Sequence, residues 1–419
     1  MAVLTIEGGK RLSGEVEIHG AKNSALPILA ATFLCNEKCT LQNCPALSDV
    51  DASIKILKHL GCKVVREGDQ IEIDPTAAHN CTIPDELMRE MRSSIVFLGA
   101  LIAKCGKARI SYPGGCELGP RPVDLHILSL QKLGALIDER FGSIRCRRVG
   151  RLCGNTINLP LPSVGTTENI ILASVTARGI TKIHNAAREP EIIDLAGFLN
   201  ACGAKISGAG DSVITIEGVE KLGGCTHRII SDRIEAATYM AAAAATGGEV
   251  LLKRVQPDYV EPVFYAFREA GCELEIGADT ILLRAPARLN RVKLIRTQVY
   301  PGFPTDAQAP MMAMATVARG TTMFIETIFQ NRYRHVDELC RFGANIKVEE
   351  RVAIVEGVDN LYAAEAQATD LRGGAALVIA ALAAHGESRI GNIRHIDRGY
   401  ADLETDLQAL GAHIKRVDC

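Results

Sequence analysis

The sequence predicts an α/β protein of two domains, each built from three copies of one α/β unit with its helices inside and its sheets outside. The first observation is size: 419 residues with 47% hydrophobic content exceed the about 250–300 residues at which a single core stops growing. The second is a repeat of roughly 70 residues, in which a helix-like stretch is followed by two runs of alternating apolar residues. The third is the composition of segments 234–246 and 369–384, which are apolar on most sides of a helix and therefore typical of buried helices.

Each repeat contains a glycine directly after its predicted helix, where a left-handed backbone conformation ends the helix. The residues that follow alternate between apolar and polar, which predicts strands with one buried face. Short turns such as Glu67-Gly68-Asp69 predict that these strands form hairpins. The repeat glycines are Gly61, Gly134, Gly203, Gly271, Gly343 and Gly411.

The domain boundary is predicted at the linker 225–230, between the third and fourth repeats. The N-terminal strands 3–6 and 16–18 have no hairpin of their own, and the last repeat lacks its second strand. We therefore expect the N-terminal strands to complete the second domain. The expected division is 22–229 for the first domain and 1–21 together with 230–419 for the second.

The charge balance excludes several classes of partner. The chain has 47 Lys and Arg against 49 Asp and Glu, a net charge of −2, so no global positive field attracts nucleic acid or an anionic membrane. The N-terminus lacks the pattern of a secretory signal, and the apolar stretches reach about half of the roughly 20 residues that span a bilayer. We expect a cytoplasmic protein without membrane insertion that binds anions through a local cluster of cations; the oligomeric state is not predicted.

The 14 cysteines are interpreted as reduced thiols that mostly fill the core, because no secretory signal accompanies them. Cys35, Cys39 and Cys44 lie close in the chain, but their spacing is loose and no histidine is near. Zinc sites usually have tighter pairs. The sequence therefore argues against a metal site at these three residues.

The segment 111–126 is rich in glycine and proline, which predicts a shaped loop that ends at a helix. This loop would present Cys116 and Arg121 to solvent. The alternative interpretation is a surface turn with an incidental thiol.

Five cations occur at the junctions between predicted elements rather than on helix faces. Each alone is ordinary, but together they would form an anion site, because the guanidinium fork matches phosphate and carboxylate oxygens. The implied ligand is a small polyanion. Asp306 lies at a similar junction and is either a catalytic base or the N-cap of the following helix. The cations are Lys22, Arg92, Arg332, Arg372 and Arg398.

A set of motifs spread in order along essentially the whole chain resembles the family of UDP-N-acetylglucosamine enolpyruvyl transferases. The resemblance implies an inside-out α/β barrel in each domain, with the active site in the cleft between the domains. The motifs are Gly20-Ala21-Lys22-Asn23, Pro113-Gly114-Gly115-Cys116, the segment 119–126, Ala186-Ala187-Arg188-Glu189-Pro190-Glu191, Phe303-Pro304-Thr305-Asp306, Ala368-Thr369-Asp370-Leu371-Arg372 and His395-Ile396-Asp397-Arg398-Gly399-Tyr400.

The resemblance implies transfer of the enolpyruvyl group of phosphoenolpyruvate to the 3-hydroxyl of UDP-N-acetylglucosamine with release of phosphate, the first committed step toward peptidoglycan. It implies no cofactor and no metal. The residues implied in catalysis are Cys116, Asp306, Asp370, Lys22 and Arg398. Those implied in substrate binding are Lys22, Asn23, Arg92, Arg121, Pro122, Val123, Asp124, Leu125, Ser163, Val164, Gly165, Asp306, Ile328, Arg332, Arg372 and Arg398, with Glu189 and Glu191 as further carboxylates of the cleft.

The implied chemistry is coherent with these residue types. The double bond of phosphoenolpyruvate becomes electrophilic when C3 is protonated, and the Cys116 thiol can deliver that proton or trap C2 covalently. Asp306 then accepts the proton of the sugar hydroxyl. Ser48 and Leu161 depart from the family pattern, since some members have Lys at these positions, so nucleotide contacts there are not expected.

Three alternatives stay open. A 5-enolpyruvylshikimate-3-phosphate synthase-like enzyme shares the fold and reaction type but is disfavoured by the Cys116 loop. A catalytically silent paralogue that binds nucleotide sugars is disfavoured by the full set of acids and cations. A hydrolase with a cysteine nucleophile is disfavoured because His126 has no orienting carboxylate at an evident spacing.

Overall fold

A computed structural model describes residues 2–112, 123–140 and 142–418. Their contacts divide the chain into two compact units. The first unit contains the described residues between 20 and 230, and the second contains residues 2–19 and 231–418. Cys116, Arg121 and Pro122 lie outside the described residues. In the described ranges, no helix combines the length and the apolar character that crossing a membrane demands.

The first unit begins with a buried helix and continues through three repeats. Its helices are α1 (Lys22–Thr32), α2 (Ser48–His59), α3 (Asp85–Glu90), α4 (Phe97–Cys105), α5 (Asp124–Lys132), α6 (Val164–Ser174) and α7 (Pro190–Ala201), with a 3-10 turn at Arg92–Val96. Its strands are β3 (Cys39–Gln42), β4 (Lys63–Glu67), β5 (Gln70–Asp74), β6 (Lys107–Ser111), β7 (Leu136–Arg140), β8 (Ser143–Arg147), β9 (Thr156–Asn158), β10 (Ile180–His184), β11 (Lys205–Ser207), β12 (Val213–Glu217) and β13 (Thr226–Arg228).

The second unit combines two N-terminal strands with the C-terminal half of the chain. Its helices are α8 (Arg233–Ala245), α9 (Pro257–Glu269), α10 (Gln308–Ala315), α11 (Val336–Cys340), α12 (Leu371–Ala383) and α13 (Leu403–Ala409), with 3-10 turns at Thr305–Ala307 and Ile393–Arg398. Its strands are β1 (Ala2–Glu7), β2 (Ser13–Glu17), β14 (Glu249–Lys253), β15 (Glu273–Ile276), β16 (Thr280–Arg284), β17 (Leu294–Arg296), β18 (Thr321–Ile325), β19 (Asn345–Glu349), β20 (Val352–Glu356), β21 (Glu365–Gln367), β22 (Glu387–Gly391) and β23 (His413–Asp418).

Small sheets surround the helices of each unit. In the described ranges the first unit has the sheets β13-β3-β5-β4, β6-β8-β7 and β11-β12-β10-β9. The second unit has β15-β16-β14-β2, β17-β18-β20-β19 and β21-β22-β1-β23. Five of these sheets contain an antiparallel hairpin with one buried face; in β16, for example, Ile281 and Leu283 are both fully buried. In the sheet β21-β22-β1-β23, β1 instead pairs antiparallel with β22 and β23. The predicted α/β class and hairpin repeats are therefore confirmed.

The centre of the second unit consists of α8, α10 and α12, which pack against one another. All residues of α10 and an unbroken run in each of the other two helices are buried. Alanine dominates these runs, and its short side chain lets helix backbones approach closely. In the first unit α4 packs against both α1 and α6, and these helices are equally buried. Helices that are apolar on every side thus lie inside, as the composition predicts.

The repeat glycines confirm the predicted helix ends. All six have positive φ angles, which range from 87° at Gly411 to 98° at Gly61. Residues with a Cβ rarely adopt this conformation. In each repeat, the glycine after the helix therefore directs the chain into the strand that follows it.

One segment differs from the expectation, and the two N-terminal strands pair with strands from the C-terminal half of the chain. The segment 225–230, predicted as a linker, contains strand β13, which pairs in parallel with β3 through Thr226 opposite Thr40. Strand β1 lies between two C-terminal strands, with Leu4 opposite Ile390 of β22 and Arg416 of β23. Strand β2 pairs in parallel with β14. Alternation alone does not indicate a strand as short as β13, because three residues show no period.

Two helical glycines of the first unit give a test of this packing. A Cβ added at buried Gly99 in α4 would lie 2.5 Å from the carbonyl oxygen of Asn169 in α6. We expect Gly99→Ala to destabilise the protein by roughly 1–3 kcal/mol, because the two helices must separate. In α7, exposed Gly197 has no atom closer than 4.0 Å to such a Cβ, and Gly197→Ala should stabilise by roughly 0.5–1 kcal/mol.

The measurement is the urea concentration at the unfolding midpoint of each variant, with the slope m unchanged. A Gly99→Ala variant as stable as the parent would contradict the close approach of α4 and α6.

Candidate active site

The carboxylate of Asp306 lies between two buried guanidinium groups in the second unit. Its Oδ1 is 3.0 Å from Arg332 Nη2 and its Oδ2 is 3.4 Å from Arg372 Nη2. Both arginine side chains are only 2% exposed, whereas Asp306 is 30% exposed. Two guanidinium groups favour the ionised carboxylate, so Asp306 is an anion that can accept a hydrogen bond from a ligand.

Local structure fixes each member of this group. Arg332 also donates from Nε and Nη2 to the carbonyl oxygen of Thr305, at 3.3 and 3.0 Å, and so holds the turn that contains Asp306. Asp370 is the N-cap of α12, where its Oδ1 accepts the backbone N–H groups of Arg372 and Gly373 at 3.1 and 3.0 Å. The cap sets the start of α12 and therefore the position of the Arg372 side chain.

The N-cap position expected as an alternative for Asp306 is wrong. Residues 305–307 form a 3-10 turn whose cap is Pro304, and the cap of the following α10 is Ala307. The side chain of Asp306 instead pairs with the two arginines, because buried guanidinium groups require a counter-ion.

Arg372 retains unused hydrogen-bonding capacity. In the described part of the chain, its Nε and Nη1 atoms are buried without a hydrogen-bond partner. Its guanidinium carbon lies 5.1 Å from the ring centroid of Tyr400, a cation–π arrangement. Buried donors without partners are costly, so this arginine is suited to an anionic ligand.

Two further predicted residues of the second unit, Arg398 and Ile328, lie close in sequence to Tyr400 and Arg332. Arg398 ends the 3-10 turn Ile393–Arg398, two residues before Tyr400, whose hydroxyl is 2.8 Å from Thr238 Oγ1. Ile328 is 38% exposed, and its N–H donates to Glu326 at 2.7 Å. His335, three residues after Arg332, is fully buried. Burial lowers its pKa to about 4, so its ring is neutral at pH 7.

In the first unit, predicted cations lie at the starts of buried helices. Lys22 is the first residue of α1, and its Nζ is 3.4 Å from Asp49 Oδ2; both side chains are largely buried. Asn23 follows it in the same turn. Arg92 begins the 3-10 turn that leads into α4. Burial, together with the positive charge of Arg92, lowers the pKa of His126 to about 4.

The two segments expected to bind the nucleotide meet at the N-termini of α5 and α6. One consists of Val123, Asp124 and Leu125, and the other of Ser163, Val164 and Gly165. His126 joins them, because its Nδ1 is 2.7 Å from the Asn169 side-chain amide and its ring borders Gly165. Helix N-termini present unpaired N–H groups that favour anions. Within the described residues the hydrogen-bond partner of the His126 ring is an amide and not an orienting carboxylate.

Sequence reasoning missed one carboxylate of this unit. Glu168 of α6 is 5% exposed, and burial, with the charges of Glu191 and Glu189, raises its pKa to about 8. Glu189 and Glu191 begin α7. Glu168 stands in the polar run Thr166-Thr167-Glu168-Asn169, which gives no sequence signal that the carboxylate is buried.

Among the residues that the structure describes, two clusters have the side chains and spacing that a metal ion requires. His19 Nδ1 lies 3.0 Å from Glu235 Oε1 and 3.7 Å from Asp406 Oδ2. The hydrogen bond to Glu235 raises the pKa of His19 to about 9, so the group is an ion pair of a protonated imidazole. The other group contains Cys35 and Cys39, which the sequence argued against as ligands; Cys202, distant in sequence, joins them, while Cys44 stays outside the group.

Glu168 makes stability depend on pH. Its pKa rises from 4.5 to about 8 on folding, so between these values the folded chain holds a proton that the unfolded chain has released. The free energy of unfolding should therefore fall as pH rises from about 4.5 to 8, by about 2–4 kcal/mol, and level off above that.

In Glu168→Gln this part of the fall should be absent, and the variant should be more stable than the parent at pH 8. The measurement is urea unfolding between pH 5 and 9. Exposed Glu217, paired with Lys205 on a sheet edge, provides the matched control Glu217→Gln. Parallel pH profiles for Glu168→Gln and the parent would contradict the assignment.

A family model and closely similar curated proteins indicate the same family. Residues 6–407 match the family model described as EPSP synthase (3-phosphoshikimate 1-carboxyvinyltransferase). A protein of Caldanaerobacter subterraneus, named UDP-N-acetylglucosamine 1-carboxyvinyltransferase 2, is 52% identical over 417 residues and all of both chains. A protein named UDP-N-acetylglucosamine 1-carboxyvinyltransferase from Serratia proteamaculans is 48% identical over 98% of both chains.

Solved structures show the same fold. The enolpyruvyl transferase NikO from Streptomyces tendae superposes with a TM-score of 0.90 at 25% identity, over 100% of this chain and 99% of that one. EPSP synthase from Acinetobacter baumannii superposes with a TM-score of 0.76 at 18% identity over the full length of both chains, which supports the fold alone. The chain therefore belongs to the enolpyruvyl transferase family, among the members named UDP-N-acetylglucosamine 1-carboxyvinyltransferase.

Proposed function

We propose that this protein transfers the enolpyruvyl group of phosphoenolpyruvate to the 3-hydroxyl of UDP-N-acetylglucosamine and releases phosphate, the first committed step of peptidoglycan synthesis. Relatives named UDP-N-acetylglucosamine 1-carboxyvinyltransferase are about 50% identical to this chain over its full length, and this similarity supports the reaction. The observation that carries it in the structure is the Asp306 carboxylate held between two buried arginines. A cytoplasmic location is part of the proposal.

Asp306 accepts the proton of the sugar hydroxyl. As that oxygen bonds to C2 of phosphoenolpyruvate, C3 takes up a proton, which Cys116 supplies. The tetrahedral adduct then expels phosphate with the electron pair of the broken C2–O bond, and C3 releases a proton to restore the double bond. Arg332 keeps the Asp306 carboxylate in a fixed orientation, so it need not reorganise during proton transfer.

The cations bind the charges of the substrates. Lys22, Arg121 and Arg398 hold the phosphate of phosphoenolpyruvate, and Arg92, Arg332 and Arg372 complete the anion site. The α5 and α6 segments at Val123 and Ser163 bind the uridine diphosphate, with Asn23 and Ile328 near the sugar and Asp370 near the reacting carbon. The proposal needs no cofactor, because these side chains supply the positive charge that stabilises the departing phosphate.

The competing functions differ in their substrates. Phosphate release should require both phosphoenolpyruvate and UDP-N-acetylglucosamine. Release with shikimate 3-phosphate in place of the nucleotide sugar would identify the second candidate, an EPSP synthase, which the family model describes. Binding of the nucleotide sugar without any phosphate release would identify a silent paralogue.

Asp306→Asn tests the base. The amide keeps size and one acceptor but has no basicity, so kcat should fall by about 100-fold or more while KM changes less. Because Arg332 and Arg372 lose their counter-ion, the melting temperature should also fall. Asp337→Asn, on an exposed position of α11, is the matched control. A kcat equal to that of the parent would show that Asp306 is not the base.

Arg398→Ala tests a binding role by a different pattern. The side chain would contact phosphate in both ground and transition states, so KM for phosphoenolpyruvate should rise and kcat should fall together. Steady-state phosphate release measures both constants. An unchanged KM with reduced kcat would remove Arg398 from the phosphate site.

Cys116→Asp and Cys116→Ser separate proton delivery from covalent trapping. A carboxylic acid can donate the C3 proton, so the Asp variant should retain turnover, whereas a serine hydroxyl is too weak an acid and should fail. The epoxide fosfomycin should inactivate the parent and spare the Asp variant, since a thiolate is the better nucleophile. Cys153→Ser, at an exposed thiol, is the control. An active Ser variant beside an inactive Asp variant that binds both substrates would overturn the acid role.

A further inference from the structure

Four cysteines that are distant in sequence converge in the first unit. Cys35 follows α1, and Cys39 begins β3. Cys202 is the C-cap of α7, and Cys225 directly precedes β13. Cys35, Cys39 and Cys202 are buried, Cys225 is half-buried, and all four are free thiols. The four sulfur atoms thus meet where the first and third repeats join.

The sulfur positions match a tetrahedral thiolate site. Zinc–sulfur bonds of about 2.3 Å at tetrahedral angles place neighbouring sulfur atoms about 3.8 Å apart. Cys35 Sγ is 3.7 Å from Cys202 Sγ, and Cys202 Sγ is 3.3 Å from Cys225 Sγ. The sulfur atoms of Cys35, Cys39 and Cys202 all lie within 4.8 Å of one another. Small shifts separate these three sulfur atoms from ligand positions, whereas Cys225, which lies outside this group, must turn its side chain toward Cys35 and Cys39 to become the fourth ligand.

The surroundings favour negative sulfur. Lys104 Nζ lies beside the cluster, where it donates to the carbonyl oxygens of Phe33 and Cys35 at 2.7 and 3.0 Å. Within the described residues this half-buried lysine forms no ion pair with a carboxylate. A partly buried cation is the compensation that a cluster of thiolates requires.

Packing alone does not account for this grouping. The other buried cysteines of the described chain, such as Cys62, Cys146 and Cys272, lie outside any cluster of three metal-ligating groups. Thiolates bind soft d¹⁰ ions most strongly. The sequence argued against a metal here because it showed only Cys35, Cys39 and Cys44; the fold replaces Cys44 by Cys202 and Cys225, and the three residues between Cys35 and Cys39 are within the range of zinc sites. We propose that Cys35, Cys39, Cys202 and Cys225 bind one Zn²⁺ ion as a structural tetrathiolate site.

Binding forms four Zn–S bonds and releases four thiol protons to solvent. The product carries two negative charges, which Lys104 partly neutralises. The ion would connect four segments: the residues after α1, the start of β3, the end of α7 and the residue before β13. Strand β13 also pairs directly with β3. The ion therefore fixes the third repeat to the first, and its binding free energy adds to the stability of the first unit.

Metal content of the full chain is the primary test. The protein is reduced, freed of metal, reconstituted with Zn²⁺ and passed over a weak chelating resin. The parent should retain one zinc per chain, and its Co²⁺ form should show thiolate-to-cobalt charge-transfer bands and the visible bands of tetrahedral Co²⁺. Cys39→Ser and Cys202→Ser should lose the ion, whereas Cys146→Ser, at a buried cysteine of the same unit, should keep it. A parent without zinc, or ligand variants that retain it, would overturn the site.

A second measurement needs no variant and holds even if the ligand variants fail to fold. Zn²⁺ added to the metal-free parent should raise its melting temperature and protect Cys225 from alkylation, as mapped by peptide mass spectrometry, while exposed Cys153 and Cys340 stay reactive. Equal alkylation of Cys225 with and without zinc would overturn the proposal. So would a chain that takes up no zinc and instead forms a Cys202–Cys225 disulfide on mild oxidation.

Discussion

The architecture depends on one constraint: the central helices of each unit are buried on almost every side and must be covered completely. Alanine-rich helices α8, α10 and α12 pack closely on one another, which leaves each with an outer face that a sheet must shield from water. The buried faces of the hairpins provide that cover. A glycine with positive φ after the helix of each repeat turns the chain sharply enough for the next hairpin to begin.

The same constraint determines where chemistry can occur. A helix buried along its length can expose polar groups to a ligand mainly at its ends, where backbone N–H groups are also unpaired. Lys22 and Asn23 begin α1, Arg92 precedes α4, and Ser163 caps α6. In the second unit, Asp306 precedes α10 and Asp370 caps α12. Many of the predicted functional residues therefore lie at the starts of the central helices, while Arg332 and Arg398 lie outside them.

The sequence predicted the fold class and the repeat because periodicity and glycine placement are local signals. It also singled out Asp306, Arg332 and Arg372 as candidates, although the pairing of Asp306 with the two arginines depends on tertiary contacts that no spacing reveals. Glu168 escaped notice because it lies among Thr166, Thr167 and Asn169, and this short polar run does not indicate burial. The cluster around Cys202 escaped for a related reason: Cys35 and Cys202 are 167 residues apart, and only the pairing of β13 with β3 brings the repeats that contain them together.

The position of strand β1 has a consequence for how the chain matures on the ribosome. β1 lies between β22 and β23, with Ala2 opposite Asp418, so its partners are translated long after it. Residues 20–230 can form their core as soon as they emerge, because all strand partners of their sheets are then present. Until β22 and β23 have been synthesised, β1 lacks these partners and its edges can pair with other exposed strands.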